Sequence, residues 1–168
     1  MATFFDHITA EQAALIANAR VFFVATADPA LAASGDGAGP VNLSPKGSNL
    51  LHVIDERRVA YLDYSGSGNE TARHLLAGGP ITLMVCSFDA SDAAIVRLYG
   101  RASVEPLDAS PLAARLLSAA PPESARPLKF RQVIDVTIER TMTSCGYGVP
   151  VMIHADDRSK AQRGRRYK

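Results

Sequence analysis

Apolar residues in this chain fall mostly into short dense runs or strict alternations, and only three segments carry the wider spacing of a helix. VFFVATA (Val21 to Ala27) is too short for a typical helix and dense in β-branched and aromatic residues, so it predicts a strand buried on both faces. VNLSP from Val41, LLHVI from Leu50, VAYLDY from Val59 and ITLMVCSF from Ile81 predict four more. The charged DERR between the second and third of these suits an exposed hairpin turn. AIVRLYGRASVEP alternates around Ile95, Arg97, Tyr99 and Arg101, the mark of a long strand with one wet face. QVIDVTIERTMTSC sets Val133, Asp135, Thr137 and Glu139 against Ile134, Val136 and Ile138, which predicts a last long strand.

The helical segments are short. TAEQAALIANA opens on Thr9 with Gln12 three residues on, the spacing of a capping box. DASPLAARLLSAAPP offers Ser110 as cap and Pro111 as first helical residue, and Pro121 and Pro122 stop it. A third helix begins near Asn69 and ends at Gly78, Gly79 and Pro80. Connections between consecutive strands are mostly too short for helical crossovers, so the strands pair antiparallel. A sheet of this size in one small domain removes its edges by closing, which favours a six-stranded antiparallel barrel with short flanking helices, a mainly β (α+β) chain.

Composition narrows the class. With 168 residues, 47% apolar and 21% charged, the chain suits one soluble domain, read here as residues 1–155. DDRSKAQRGRRYK (156–168) is a basic tail without apolar periodicity, either a solvated terminus or an arm contacting a phosphate or a partner. A net charge of +1 gives no global reason to expect nucleic acid or a membrane surface as partner. Cys86 and Cys145 lie far apart with no CxxC pairing, which offers neither a disulfide framework nor a four-ligand zinc site. With no leader pattern and no run near the roughly 18 apolar residues of a membrane span, the expected location is cytoplasmic.

Three polar segments carry candidate chemistry. In YSGSGNETARHL (Tyr64 to Leu75), Ser67 and Glu70 have capping-box spacing and Asn69 is a competing cap. Gly66 and Gly68 would let a ligand approach the backbone at a helix start, with Arg73 one turn on to add charge. The same residues also serve an ordinary strand-to-helix turn, and neither a dinucleotide fingerprint nor a P-loop is completed. NLSPKGSN (Asn42 to Asn49) brings Ser44 and the mobile cation Lys46 to a strand end bent by Pro45 and Gly47. TSCGYGVP presents Tyr147 between Gly146 and Gly148, suited to a planar ligand or a subunit contact. Cys145 has no histidine base near it in sequence, since His7, His52, His74 and His154 are scattered. HExxH and GxSxG are absent, which disfavours a metal enzyme or a serine hydrolase.

In this order, FFVATA, VNLSPKG, RVAYLDYSGSGNETARHL, ITLMVCSF, RLYGRASV and TSCGYGVP resemble the pyridoxamine 5'-phosphate oxidase-like, FMN-binding split β-barrel proteins, over nearly the whole chain to about Met152. The resemblance implies a homodimer of split barrels with FMN between subunits. It implies that Ser44, Pro45, Lys46 and Gly47 lie beside the flavin ring and that Ser67, Asn69, Glu70 and Thr71 lie near its phosphate; with Arg73 for charge and Asn42, Gly68 and Tyr147, these make up the expected cofactor-binding set. It further implies an oxidoreductase acting on a small-molecule substrate or a nicotinamide donor. A deazaflavin-dependent reductase, or a flavin-binding or sensing module without turnover, shares the same fold. Glu70 stands where authentic oxidases tend to carry a basic residue, and their C-terminal arginine and histidine region is missing, so the resemblance does not extend to oxidation of vitamin B6 phosphates.

Overall fold

The computed structural model describes residues 2–33, 39–47, 50–66, 68–126 and 128–157. Among the described residues, eight strands form one antiparallel sheet flanked by three α-helices and a 3-10 turn. The strands are β1 (Thr3–Phe5), β2 (Val21–Ala27), β3 (Val41–Gly47), β4 (His52–Asp55), β5 (Arg58–Tyr64), β6 (Ile81–Cys86), β7 (Ala94–Pro106) and β8 (Phe130–Cys145). The helices are α1 (Ala10–Asn18), α2 (Glu70–Leu76) and α3 (Ala113–Ala119). The sheet runs β3-β2-β6-β7-β8-β5-β4, with β1 on β8.

The expected class holds and the strand count rises from six to eight. All seven runs read as strands are present, and β1 is added. Its three residues are too few to show an alternation, and it exists because Thr3, Phe4 and Phe5 pair with Thr143, Met142 and Thr141. β3 runs on to Gly47 through Pro45, although a proline cannot donate to a ladder. It is tolerated because β3 is an edge strand whose ladder partner is β2.

Thr9 and Gln12 form the predicted capping box: the Gln12 amide donates to Thr9 Oγ1 at 3.3 Å and the Thr9 amide to Gln12 Oε1 at 3.1 Å. α3 starts later than expected, with Leu112 at the cap position. Ser110 Oγ instead accepts from the Leu112 amide at 3.3 Å, closing a turn ahead of the helix.

One apolar cluster fills the sheet's concave side, with Phe22, Val24, Val59, Tyr61, Leu83, Leu98, Ile134 and Ile138 at its centre. A second lies between β5 and β8 and α3, around Ala60, Leu62, Val133 and Leu116. The continuous burial of β5 thus comes from two cores, one on each face. Gly100 fixes a close approach in the spine. A Cβ there would collide with the Thr137 carbonyl, where the β7–β8 register slips by one residue. Among the described residues no helix is long and apolar enough to cross a membrane.

Candidate functional site

β3 and β5 lie five places apart in the strand order, yet Lys46 Nζ on β3 donates to Asp63 Oδ1 on β5 at 2.8 Å. The sheet is therefore curled so that its two ends face each other. The seam between them opens into a cavity of about 260 Å³ lined by β3, the end of β5, the following loop and the start of α2.

Alternation decides what β3 contributes. Asn42, Ser44 and Lys46 share the half-buried face and line the cavity, while Val41, Leu43, Pro45 and Gly47 point the other way. The β2–β3 register sets Asn42 opposite Thr26, and Asn42 Nδ2 donates to Thr26 Oγ1 at 3.4 Å and to Thr71 Oγ1 of α2 at 3.0 Å.

Asp63 is the hub of the opposite wall and is 4% exposed. A buried carboxylate needs donors, and among the described residues it has three. Beyond Lys46, Gln132 Nε2 donates to Oδ2 at 3.0 Å and Arg131 Nη2 reaches the same oxygen at 3.4 Å. Gln132 is the cross-strand partner of Asp63, so that contact follows from register. Arg131 should point to the opposite face, but the pairing jumps from Asp63↔Gln132 to Tyr64↔Phe130, and this bulge turns Arg131 toward the site. Arg131 Nη2 also lies 3.3 Å from the carbonyls of Tyr64 and Gly68, which ties down the loop. Its Nε is buried without a hydrogen-bond partner among the described residues.

Deeper in the core on the same face of β5, Tyr61 is wholly buried and packs edge-on against Phe22 with centroids 5.2 Å apart. Burial, and then the charge of Asp63, hold its phenol well above the usual range, so it stays neutral. Tyr64, at the cavity wall, stacks on Phe130 at 4.7 Å, and its phenol is raised chiefly by burial.

The glycine-rich loop starts α2 as expected, with Asn69 at the cap position, but the Asn69 side chain makes no cap bond. Its Oδ1 accepts from Gln132 Nε2 at 3.1 Å instead, trading about 1 kcal/mol of capping for a link to the Asp63 hub. Ser67, and with it the alternative capping box, lies outside the described residues. The Glu70 carboxylate folds back over Gly68, where an added Cβ would sit 2.5 Å from Oε2, and it lines the cavity. α2 has only seven residues, so its end charge offers little to an anion.

Of the residues singled out in sequence, Asn42, Ser44, Lys46, Gly68, Asn69, Glu70 and Thr71 come together here. Arg73 is exposed on α2 and is not among the lining residues. Tyr147 is 88% exposed just past the C-terminal end of the sixteen-residue β8, whereas the cavity adjoins that strand's start. Asp63, Arg131 and Gln132 were missed. A signal for Asp63 was present, since a lone carboxylate inside an apolar run must find donors when buried. Arg131 had no such signal, because a bulge leaves no mark in the periodicity.

A curled antiparallel sheet with a polar cleft at its seam defines the class, and the comparisons define the family. A family model described as pyridoxamine 5'-phosphate oxidase matches residues 8–145, and the chain belongs to that family. It is 38% identical over 114 residues to the pyridoxamine 5'-phosphate oxidase family protein ustO of Aspergillus flavus, covering 67% of this chain and 44% of that protein. The chain thus spans less than half the length of this curated relative. Its fold is similar to that of HupZ from Group A Streptococcus, with TM-score 0.56 and 21% identity over 80% of this chain and 91% of that one. It is also similar to that of an FMN-binding protein from Syntrophomonas wolfei, with TM-score 0.58 and 15% identity over 77% of this chain and 80% of that one.

Proposed function

We propose that the cleft at the seam binds FMN and that the protein is an FMN-dependent oxidoreductase acting on a small molecule, with a nicotinamide cofactor as candidate electron donor. The observation that carries this reading is the convergence of the cation Lys46 with the hydroxyls of Ser44 and Thr71, from two separate elements, around one cavity whose wall Arg131 braces from behind through Asp63. That set of one cation and two hydroxyl donors suits the phosphate and ribityl hydroxyls of a flavin mononucleotide. When bound, the flavin supplies the electron transfer. Lys46 would hold a positive charge beside it, fixed in place by Asp63, while Thr71 and Ser44 would orient it through their hydroxyls.

The cavity of about 260 Å³ falls below the roughly 300–1,000 Å³ usual for ligand pockets, so one chain encloses only part of such a cofactor. A homodimer would supply the missing wall. Supporting this, the outer face of β2, β3 and β6 leaves Val41 and Leu43 exposed by 65% and 67%, beside half-buried Phe23, Ala25 and Met84. A cytoplasmic setting agrees with the two free cysteines.

The test is anaerobic mixing of the FMN-loaded protein with NADH or NADPH. Bleaching of the flavin absorbance, and its return on adding an acceptor, is expected. Bound FMN that neither donor reduces would leave a binding or sensing module, and tighter uptake of a deazaflavin in competition would reassign the cofactor.

A further inference from the structure

His74 is 1% exposed, sits in α2 facing the sheet, and has no part in lining the cavity. Burying an imidazole is unfavourable unless its nitrogens are satisfied, so its contacts indicate what it is for. His74 Nδ1 lies 3.0 Å from Thr26 Oγ1, and both residues are buried. Thr26 Oγ1 in turn accepts from Asn42 Nδ2, and the second proton of that amide goes to Thr71 Oγ1. The chain His74–Thr26–Asn42–Thr71 therefore starts inside the protein and ends on two residues of the cavity wall. It links β2, β3 and α2, and it consumes both donor protons of Asn42.

The geometry leaves the ends of this chain defined. Asn42 cannot turn its amide protons toward a ligand without breaking a bond, so its Oδ1 is the group it has to offer. Thr71 Oγ1 accepts from Asn42 and keeps its own proton to donate. A second contact pins α2 from behind: the Gly79 amide donates to the His74 carbonyl at 2.8 Å, and an added Cβ on Gly79 would strike the Ala27 carbonyl of β2. α2 is thus clamped to β2 at the turn that carries His74, and the Thr71 end of the same helix inherits that position.

We propose that His74 is a positioning residue for the cleft: acting through Thr26, it fixes the amide of Asn42 and the hydroxyl of Thr71 in the orientation that receives the ligand's polar end. This rests on the flavin reading of the cavity for the identity of the ligand, though the bonded chain itself does not depend on it. His74 does not line the cavity, and its effect passes through Thr26 and Asn42.

The test is a double-mutant cycle on FMN affinity in the full chain. His74→Leu and Thr26→Val each keep the volume and remove a link. Each is expected to raise the FMN Kd about tenfold, and the double variant no further, because either cut releases the same two residues. His74→Asn, which keeps a polar atom near the place of Nδ1, should restore affinity to within about threefold. Leu116→Ala, in the core on the far side of β5, controls for lost stability and should lower Tm without changing the Kd. Single variants whose Kd stays within twofold of the unmodified protein, effects that multiply in the double variant, or a Leu116→Ala Kd that rises as much as theirs would each overturn the proposal. If the unmodified protein takes up no FMN, the functional reading fails by itself. The positioning claim is then read from the side-chain amide NMR signals of Asn42, which move in both single variants if it is right and stay in place if it is wrong.

Discussion

Asp63 shows how much one buried charge can organise. It collects Lys46, Arg131 and Gln132, and through Gln132 it reaches Asn69, so four elements of the cleft meet on one carboxylate. Asp63→Ala leaves two cations facing each other without their counter-charge. Because Lys46 and Arg131 keep partial access to water, the expected loss is about 2 kcal/mol of unfolding free energy by urea denaturation, below that of a fully buried pair. Glu70 acts in the opposite sense, since its carboxylate lines the same cavity. Glu70→Gln is expected to tighten FMN binding about threefold to tenfold in a fluorescence titration. The Ser-Pro-Lys and Gly-Asn-Glu-Thr residues were legible in sequence because polar side chains clustered at element ends stand out. The partner of Lys46 was not, since contact between residues 17 apart in sequence depends on how the sheet curls.

Elements were legible where their periodicity was long. All seven runs read as strands are strands, and the Thr9 capping box forms as its spacing required. Three-residue β1 and the delayed start of α3 were not, because pairing with β8 and a local serine turn decide them. The two register slips of β8 were equally hidden, and each has a role: one re-aims Arg131, the other brings Gly100 against the Thr137 backbone. Gly100→Ala should cost toward the upper end of about 1–3 kcal/mol, because a backbone carbonyl in a paired strand cannot yield. Gly66→Ala, with open space around it, should leave the thermal midpoint nearly unchanged. On β4, His52 is held below its usual 6.5 first by burial and then by Arg115. The unfolded chain therefore takes up a proton that the folded one resists, so stability is full above about pH 6.5 and declines as pH falls from there toward the folded value. His52→Gln should flatten that part of the curve of unfolding free energy against pH.

At the scale of the molecule, the strand order leaves β3 and β4 at the open ends, and the Lys46–Asp63 and Asn42–Thr71 contacts bridge the seam. The antiparallel class followed from connection lengths, while a split in the barrel was implied only by the family resemblance and the place of the seam was not legible, since no local pattern marks where a sheet fails to close. The apolar outer face of β2 and β3 is where a second copy is expected. Leu43→Glu should shift the mass measured by light scattering from dimer to monomer and weaken FMN binding at the same time. Calorimetric titration of flavin-stripped protein with FMN tests whether this cleft is a flavin site. One FMN per chain at micromolar affinity or better, weakened at least about tenfold by Lys46→Ala, is the expected result. Absence of binding at micromolar protein, or binding that Lys46→Ala leaves untouched, would contradict it.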